Sequence, residues 1–212
     1  MRSVRHWTPG YVTRRLRQML HQRRHPAEPW LTGEAVRLLD SLLRPRDRGF
    51  EWGSGRSTLW LSDKIAQLTS VESDPRWYQK VRADLEGGAR SNVELLLREI
   101  GDEPSDPAQH PFVRAIDAQE DGSLDFALVD GWGRSACALA ALDKLKPGGL
   151  LVIDDAHRYL PVPEGVTAPG ARTSATGALT PEWERLRQQV ADWRSIWTSD
   201  GVSPTLILVR SA

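Results

Sequence analysis

The stretch Phe50-Glu51-Trp52-Gly53-Ser54-Gly55-Arg56-Ser57-Thr58 decides the fold of this 212-residue chain. An acidic residue is followed by two glycines, and the apolar run Leu59-Trp60-Leu61 comes next. This order predicts the end of a strand, a tight turn and the start of a helix. The glycines allow the backbone to turn sharply and a ligand to approach it closely. The helix that begins near Ser57 would point unpaired backbone N–H groups at that ligand.

Around this turn, segments with strand and helix patterns alternate along the chain. Predicted strands cover residues 48–52, 68–72, 93–97, 124–130, 150–153 and 205–209, and the helices between them end near residues 67, 87, 146 and 193. Strands that alternate with helices indicate a mostly parallel sheet with helices on both faces. We therefore predict a doubly wound α/β fold.

The composition predicts one domain with a short extension. A chain of 212 residues is long enough for one α/β domain with a sizeable core. Residues 1–45 are predicted to form a helical extension, with helices near 9–21 and 31–43, and residues 46–212 a single globular unit. Acidic and basic residues balance at 28 each, so the bulk charge indicates no polyanionic partner.

The charge is nevertheless uneven along the chain. Residues 1–27 contain seven arginines and no acid. Such a run is typical of a solvated helix face, and contact with nucleic acid or a membrane is the alternative. No segment has a signal-peptide core or a membrane-spanning length, and the single Cys137 excludes an internal disulfide framework. We expect a cytoplasmic protein with no membrane partner, either a monomer or a homo-oligomer.

Four predicted strands end in acids, namely Glu51, Glu72, Asp130 and Asp154. Ligands of parallel sheets bind beyond the carboxyl ends of the strands, so these acids are expected around a ligand. Glu72 follows Gly55 by seventeen residues, a distance at which an acid can bind both hydroxyls of a ribose. The alternative for Glu72 is a helix-capping role before Asp74.

Together these segments resemble the class I S-adenosylmethionine-dependent methyltransferases. The turn resembles motif I of that family, E/D-x-G-x-G, with Ser57 where the third glycine usually stands. Residues 125–131 resemble its motif IV, and residues 145–153 resemble the turn and strand that follow. The resemblance covers about 47–155. It implies a Rossmann-like, mostly parallel seven-stranded sheet with a closing antiparallel strand, and S-adenosylmethionine as the cofactor.

The resemblance also implies roles for individual residues. Glu72 would bind the ribose, Ser73 would lie beside the adenine, and Asp130 would lie near the methionine part and the methyl acceptor. The predicted cofactor-binding residues are Glu51, Trp52, Gly53, Ser54, Gly55, Ser57, Glu72, Ser73 and Asp130.

Within this superfamily, Asp130 with Asp154 and Asp155 resembles the metal-binding acids of the catechol-type O-methyltransferases. That resemblance implies a Mg²⁺ ion held by the three acids and O-methylation of a small-molecule or saccharide-type acceptor. Hard oxygen ligands suit magnesium. Successive strand residues face opposite ways, so Asp154 and Asp155 can converge only if the strand ends between them.

The catalytic base is less clearly indicated. Many of those enzymes have a lysine base at the position of Gly133, and the next residue here, Arg134, is always protonated and makes a poor base. Asp130 and His157 are therefore the candidate catalytic residues.

Two other classes share part of the pattern. An NAD(P)-dependent oxidoreductase would also use the glycine turn and Glu72, but its G-x-G-x-x-G fingerprint has Thr58 at the third glycine. A nucleic-acid-binding module would use the basic amino-terminal helix. We expect a small-molecule acceptor rather than nucleic acid. The Pro- and Gly-rich residues 159–178 are predicted to form a lid or substrate-selecting loop.

Overall fold

A computed structural model describes residues 8–101 and 106–212. Within these residues, one sheet contains seven strands: β1 (Arg48–Trp52), β2 (Gln67–Glu72), β3 (Val93–Leu97), β4 (Leu124–Val129), β5 (Leu145–Ile153), β6 (Arg194–Thr198) and β7 (Thr205–Val209). Their order is β3-β2-β1-β4-β5-β7-β6. Strands β1 to β5 are parallel, and β7 is antiparallel to both of its neighbours. The predicted Rossmann-like fold is therefore confirmed.

The described helices are α1 (Pro9–Arg24), α2 (Gly33–Leu42), α3 (Arg56–Ser62), α4 (Pro75–Gly87), α5 (Pro111–Arg114), α6 (Arg134–Ala141) and α7 (Pro181–Gln189). Short 3₁₀ turns lie at Pro107–Gln109, Ala115–Ala118 and Ala156–Arg158. The start of α4 follows from its sequence, because the Asp74 carboxylate accepts bonds from the N–H groups of Arg76 and Trp77. In the part of the chain that the structure describes, no helix could cross a bilayer.

Apolar side chains pack on both faces of the sheet. Along β4, Phe126 and Leu128 pack with α2 and α3, whereas Ala127 and Val129 pack with α5, α6 and α7. This alternation is the period of two that a strand imposes. Helix α2 belongs to the core through the fully buried Ala35, but α1 has no buried residue. The two helices of the predicted extension therefore differ in how firmly they are packed.

Strand β5 begins earlier than its sequence predicts. The predicted turn at residues 147–149 lies inside the strand, because Leu145 pairs with Leu124 before Leu150 pairs with Phe126. The Pro-Gly-Gly sequence therefore forms a bulge rather than the boundary between helix and strand. Pairing with a distant strand, which local sequence signals do not encode, accounts for the difference.

The helices after β1, β4 and the long loop end earlier than predicted. Their predicted ends at residues 67, 146 and 193 compare with observed ends at Ser62, Ala141 and Gln189. In each case the residues after the helix form a turn into the next strand, so the tertiary connection sets the boundary.

Candidate active site

The strand order reverses between β1 and β4, where an α/β sheet opens a crevice for ligands. Gly53 follows β1 and Gly131 lies just beyond β4. Gly53 has φ +94°, and a Cβ there would lie 2.8 Å from the backbone nitrogen of Gly131. Position 53 therefore requires glycine for both its conformation and its space.

A pocket of about 250 Å³ opens over this turn. It is lined by Trp30, Gly53, Ser54, Gly55, Arg56, Ser57, Glu72, Trp77, Asp130 and Gly131. The structure thus brings together six of the residues predicted to bind a cofactor. Glu51, Trp52 and Ser73 do not line the pocket.

Glu72 lines the pocket and also caps the start of α4, the alternative role that its sequence position suggested. One carboxylate oxygen accepts bonds from the N–H groups of Ser73 (2.7 Å) and Asp74 (2.9 Å) at the start of α4. The other accepts from the Ser54 N–H (3.1 Å) and hydroxyl (2.9 Å). A carboxylate has about four acceptor positions, so a further donor could bind only by displacing one of these four. The Ser54 hydroxyl is the one donor here that a side-chain rotation can remove.

Four residues of the pocket lining were not among those predicted to bind the cofactor, namely Trp30, Arg56, Trp77 and Gly131. Trp77, in the first turn of α4, donates its indole N–H to the carbonyl of Ser54 at 2.6 Å. Its place in the first turn after the strand-end acid is the signal that could have identified it. Trp30 stacks with the guanidinium of Arg56, 5.3 Å from the ring centre. Trp30 precedes the sheet by many residues, so only the folded chain places it at the pocket.

Glu51 lies beneath the turn rather than in the pocket. Its carboxylate is fully buried and accepts bonds from the hydroxyls of Thr58 and Ser70 at 2.5 and 2.6 Å. Oε1 has no hydrogen-bond partner among the described residues. Burial raises the pKa of Glu51 to about 7, although neighbouring hydroxyls lower it and Asp130 raises it further. The carboxylate therefore lies beneath the turn and does not line the pocket.

Trp52 is also part of the core. Its side chain is fully buried, and its indole N–H donates to the carbonyl of Phe112 at 2.9 Å. The side chains of Phe50 and Trp52 pack on the same face of β1, opposite to Glu51. Ser73 lies in a separate shallow depression beside Glu99.

Asp130 faces the pocket and pairs with Arg134. The Arg134 guanidinium donates to Asp130 Oδ1 at 2.7 Å and to the carbonyls of Asp130 and Gly131 at 2.8 and 3.2 Å. It also donates to the Asp154 carbonyl. Burial raises the pKa of Asp130 and outweighs the opposing effect of Arg134. Arg134 therefore connects the chain just after β4 with the chain just after β5 through one guanidinium group.

The predicted metal site at Asp130, Asp154 and Asp155 does not agree with this geometry. The strand ends at Ile153, as convergence would require, but each carboxylate has a separate partner. Asp154 accepts from the Thr205 hydroxyl at 3.0 Å, and burial raises its pKa well above the usual range. Asp155, with a left-handed backbone, accepts from the hydroxyl of Ser203.

Asp155 also accepts from the guanidinium of Arg158 at 2.9 Å. Arg134 supplies the counter-charge between Asp130 and the Asp154 main chain, which is where the predicted ion would be needed. Over residues 8–101 and 106–212, no three His, Cys, Asp or Glu side chains form a group suited to a metal. The donor set therefore does not fit the Mg²⁺ ion that the resemblance implied.

His157 is buried away from the pocket. Its ring is 2% exposed, and Nδ1 lies 4.0 Å from the nearer oxygen of Asp155. Burial lowers the pKa of His157. The residue lies beneath the predicted lid, since its carbonyl accepts from the N–H of Arg172. The structure does not bring His157 and Asp130 together at the pocket.

A crevice at the strand reversal, a glycine turn and a buried acid at the end of β2 define a Rossmann-like protein with a nucleotide-type cofactor site. A family model described as a methyltransferase domain matches residues 50–156, half of the chain. The chain belongs to this methyltransferase family and is a class I S-adenosylmethionine-dependent methyltransferase. The oxidoreductase alternative is therefore not supported. A comparison with curated proteins gave no match.

Several solved structures share the fold. A methyltransferase from Geobacter sulfurreducens has a TM-score of 0.58 and 15% identity, covering 97% of this chain and 91% of that chain. An rRNA methylase from Streptococcus thermophilus has a TM-score of 0.54 and 12% identity, covering 84% and 95%. A putative methyltransferase from Streptococcus mutans, in complex with SAH, has a TM-score of 0.52 and 14% identity, covering 82% and 93%. At these identities the similarity supports the fold.

Proposed function

We propose that S-adenosylmethionine binds across the carboxyl ends of β1, β2 and β4, with its ribose at Glu72 and its methionine part toward Asp130. The pocket over the glycine turn carries this proposal, because it places both acids on one surface. Glu72 is held by three backbone N–H groups, so its carboxylate is already oriented when the ligand arrives. Rotation of the Ser54 hydroxyl then frees an acceptor position for the ribose.

We further propose that Asp130 is the general base for a hydroxyl acceptor. The cofactor supplies an activated methyl group, and the acceptor must lose its proton as the new bond forms. The Asp130 side chain is 35% exposed, and its other carboxylate oxygen is free of the Arg134 hydrogen bond. Its raised pKa increases its affinity for a proton. These features support O-methylation, and we propose that the acceptor is a small molecule or of saccharide type.

His157 remains a less favoured candidate for the base. Its ring would have to become accessible from beneath the loop before it could contact an acceptor. Asp130 requires no such rearrangement, since it already lines the pocket.

We propose that residues 46–212 form the methyltransferase domain and that residues 1–45 extend it. Helix α2 is integrated into the core, and Trp30 reaches the pocket wall. The extension would therefore help to close the cofactor site.

Calorimetric titration with S-adenosylhomocysteine tests the cofactor proposal. Glu72→Ala should weaken binding by about 5-fold to 150-fold, because it removes a charged acceptor worth roughly 1–3 kcal/mol. Glu86→Ala, which changes an exposed carboxylate on α4, is the control and should leave the affinity unchanged. Equal affinities of the wild type and a folded Glu72→Ala variant would exclude the ribose contact.

The acceptor proposal has a separate test. Transfer of a labelled methyl group to a panel of phenols and saccharides would be compared between the wild type and Asp130→Asn. The variant should retain binding of S-adenosylhomocysteine and lose most transfer to hydroxyl acceptors. Transfer that is unaffected by the substitution would remove Asp130 as the base.

A further inference from the structure

Helix α1 contacts the rest of the protein through its polar side. The Gln18 side chain donates to the carboxylate of Asp200 at 2.8 Å. The carbonyl of Gln22 accepts from the guanidinium of Arg56 at 3.2 Å. Gln18 and Gln22 lie one turn apart on the same helix face and are partly buried. The polar face of α1 is therefore its docking face.

The apolar side of α1 faces solvent. Val12, Leu16, Met19 and Leu20 have the i, i+4, i+7, i+8 spacing of a single helix face. Their exposed fractions are 37, 54, 40 and 50%, respectively. A surface helix ordinarily turns such a stripe toward the core. Here the orientation is reversed, and this stripe, which we call the α1 apolar stripe, has nothing packed over it among the described residues.

Arginines border the α1 apolar stripe. At about 100° per residue, Arg15 lies on one side of it, and Arg17 and Arg24 lie on the other. Arg23 lies in line with the stripe at the carboxyl end of the helix. All four are exposed, and α1 contains no acidic residue. Over residues 8–101 and 106–212, no carboxylate forms a salt bridge with any of them. A positive border around an apolar stripe is typical of helices that lie in a membrane interface.

We propose that α1 binds the surface of a bilayer containing anionic phospholipid. The α1 apolar stripe enters the boundary between headgroups and acyl chains, and the bordering arginines contact lipid phosphates. This is peripheral contact and involves no membrane-spanning segment. It differs from the expectation that the protein has no membrane partner.

A bilayer accounts for both features of the helix. A second copy of α1 would bring together two sets of arginines that have no acidic partner among the described residues. Four side chains also cover far less than the roughly 800 Å² per partner of a standard stable interface. Nucleic acid would neutralise the arginines but leave the α1 apolar stripe in water. Anionic lipid supplies the complementary charge and the apolar environment at once.

The position of α1 connects lipid binding to the pocket. Arg56, whose guanidinium holds the Gln22 carbonyl, lines the cofactor pocket and stacks with Trp30. Helix α1 is therefore attached to the pocket wall. The lipid proposal itself does not depend on the identity of the cofactor or the acceptor.

Vesicle co-sedimentation with the full-length chain tests this proposal. The probes are vesicles of phosphatidylcholine alone and of phosphatidylcholine mixed with phosphatidylglycerol. The wild type should bind the mixed vesicles, bind neutral vesicles much more weakly and dissociate as salt is added. Arg17→Gln/Arg24→Gln should weaken partitioning by about fivefold for each arginine removed.

The apolar contribution is tested by Leu16→Glu/Leu20→Glu, which should lower partitioning at least tenfold. Leu179→Glu is the matched control, because Leu179 is 49% exposed and lies outside α1. The control should bind as the wild type does. Circular dichroism and thermal denaturation would verify that the α1 variants are folded.

Three results would overturn the proposal. The first is no binding of the wild type to mixed vesicles, or binding unaffected by Leu16→Glu/Leu20→Glu. The second is a dimer in light scattering that this double substitution dissociates, which would identify a second copy as the occupant. The third is oligonucleotide binding lost only with the arginines, together with no vesicle binding, which would identify nucleic acid.

Discussion

Replacing Glu51 by Gln should flatten the pH dependence of stability. The Glu51 carboxylate is fully buried under the glycine turn, where the hydroxyls of Thr58 and Ser70 donate to it. No described residue carries a positive charge that contacts it. Glutamine has nearly the same shape and retains a carbonyl oxygen for both hydroxyls, so the substitution chiefly removes the ionisation.

The size of the effect follows from the raised pKa. Burial raises the pKa of Glu51 from 4.5 to about 7. The folded protein therefore holds this proton more tightly than the unfolded chain does. As the pH rises from 4.5 through 7, the raised pKa of Glu51 lowers the stability of the wild type by about 3 kcal/mol. Glutamine does not ionise, so the variant does not lose this stability. Below pH 4.5, Glu51 is neutral in both the folded and the unfolded state. The difference in stability between the wild type and Glu51→Gln should therefore be constant there.

Urea denaturation followed by tryptophan fluorescence, at several pH values from 4.5 to 8, measures this difference. The free energy of unfolding of Glu51→Gln, minus that of the wild type, should increase by about 3 kcal/mol over this range. Glu164→Gln, at an exposed carboxylate, controls for the loss of one charge. Parallel pH profiles for the wild type and Glu51→Gln would show that burial does not raise the pKa of the Glu51 carboxyl.

Three further predictions concern the turn, the Asp130 pair and the long loop. Gly53→Ala should destabilise the protein by more than the roughly 1–2 kcal/mol of a left-handed backbone, because its Cβ would also meet the Gly131 backbone; urea denaturation measures the loss. Arg134→Met should raise the pKa of Asp130 further by removing its positive partner, as a carboxyl-carbon NMR titration would show. Replacing residues 161–177 by a short linker should leave S-adenosylhomocysteine affinity unchanged in calorimetry and lower turnover, since this loop supplies none of the described pocket lining.

The first two of these predictions have matched controls, and the third has an outcome that would contradict it. Gly122 also has a left-handed backbone, but a Cβ there would have no neighbouring atom within 4 Å. An equal loss of stability in Gly122→Ala and Gly53→Ala would therefore contradict the steric argument at Gly53. Arg158→Met removes an arginine paired with Asp155 instead, and an equal effect on Asp130 would contradict the role of Arg134. Loss of cofactor binding in the folded loop variant would show that the loop belongs to the cofactor site.

The sequence predicts the fold well because its signals are local. The strand patterns around Glu51, Glu72 and Asp130 and the glycine turn between them each depend on neighbouring residues. The carboxyl ends of parallel strands must meet at one edge, so the pocket follows from the strand assignments. The bulge at residues 147–149 was missed because it depends on pairing between strands far apart in sequence.

The detailed roles of the site residues depend on tertiary contacts. A strand-end acid can face either side of the turn, and Glu51 faces the buried hydroxyls of Thr58 and Ser70. The sequence around Asp130, Asp154 and Asp155 does not indicate that the Arg134 guanidinium would bind both Asp130 and the Asp154 carbonyl. Arg134 does so because the left-handed Gly133 begins α6 at that point. Only the packing of the folded chain therefore determines whether a metal ion or Arg134 supplies the positive charge beside Asp130.

A crystal structure with S-adenosylhomocysteine bound tests the proposed cofactor site. We expect the ligand over Gly53 and Gly55, with its ribose hydroxyls on the Glu72 carboxylate and its sulfur toward Asp130. The Ser54 hydroxyl should rotate away from Glu72 while the backbone N–H groups stay in place. A ligand bound elsewhere, or a Glu72 that keeps all four present donors while the ribose contacts another group, would contradict it.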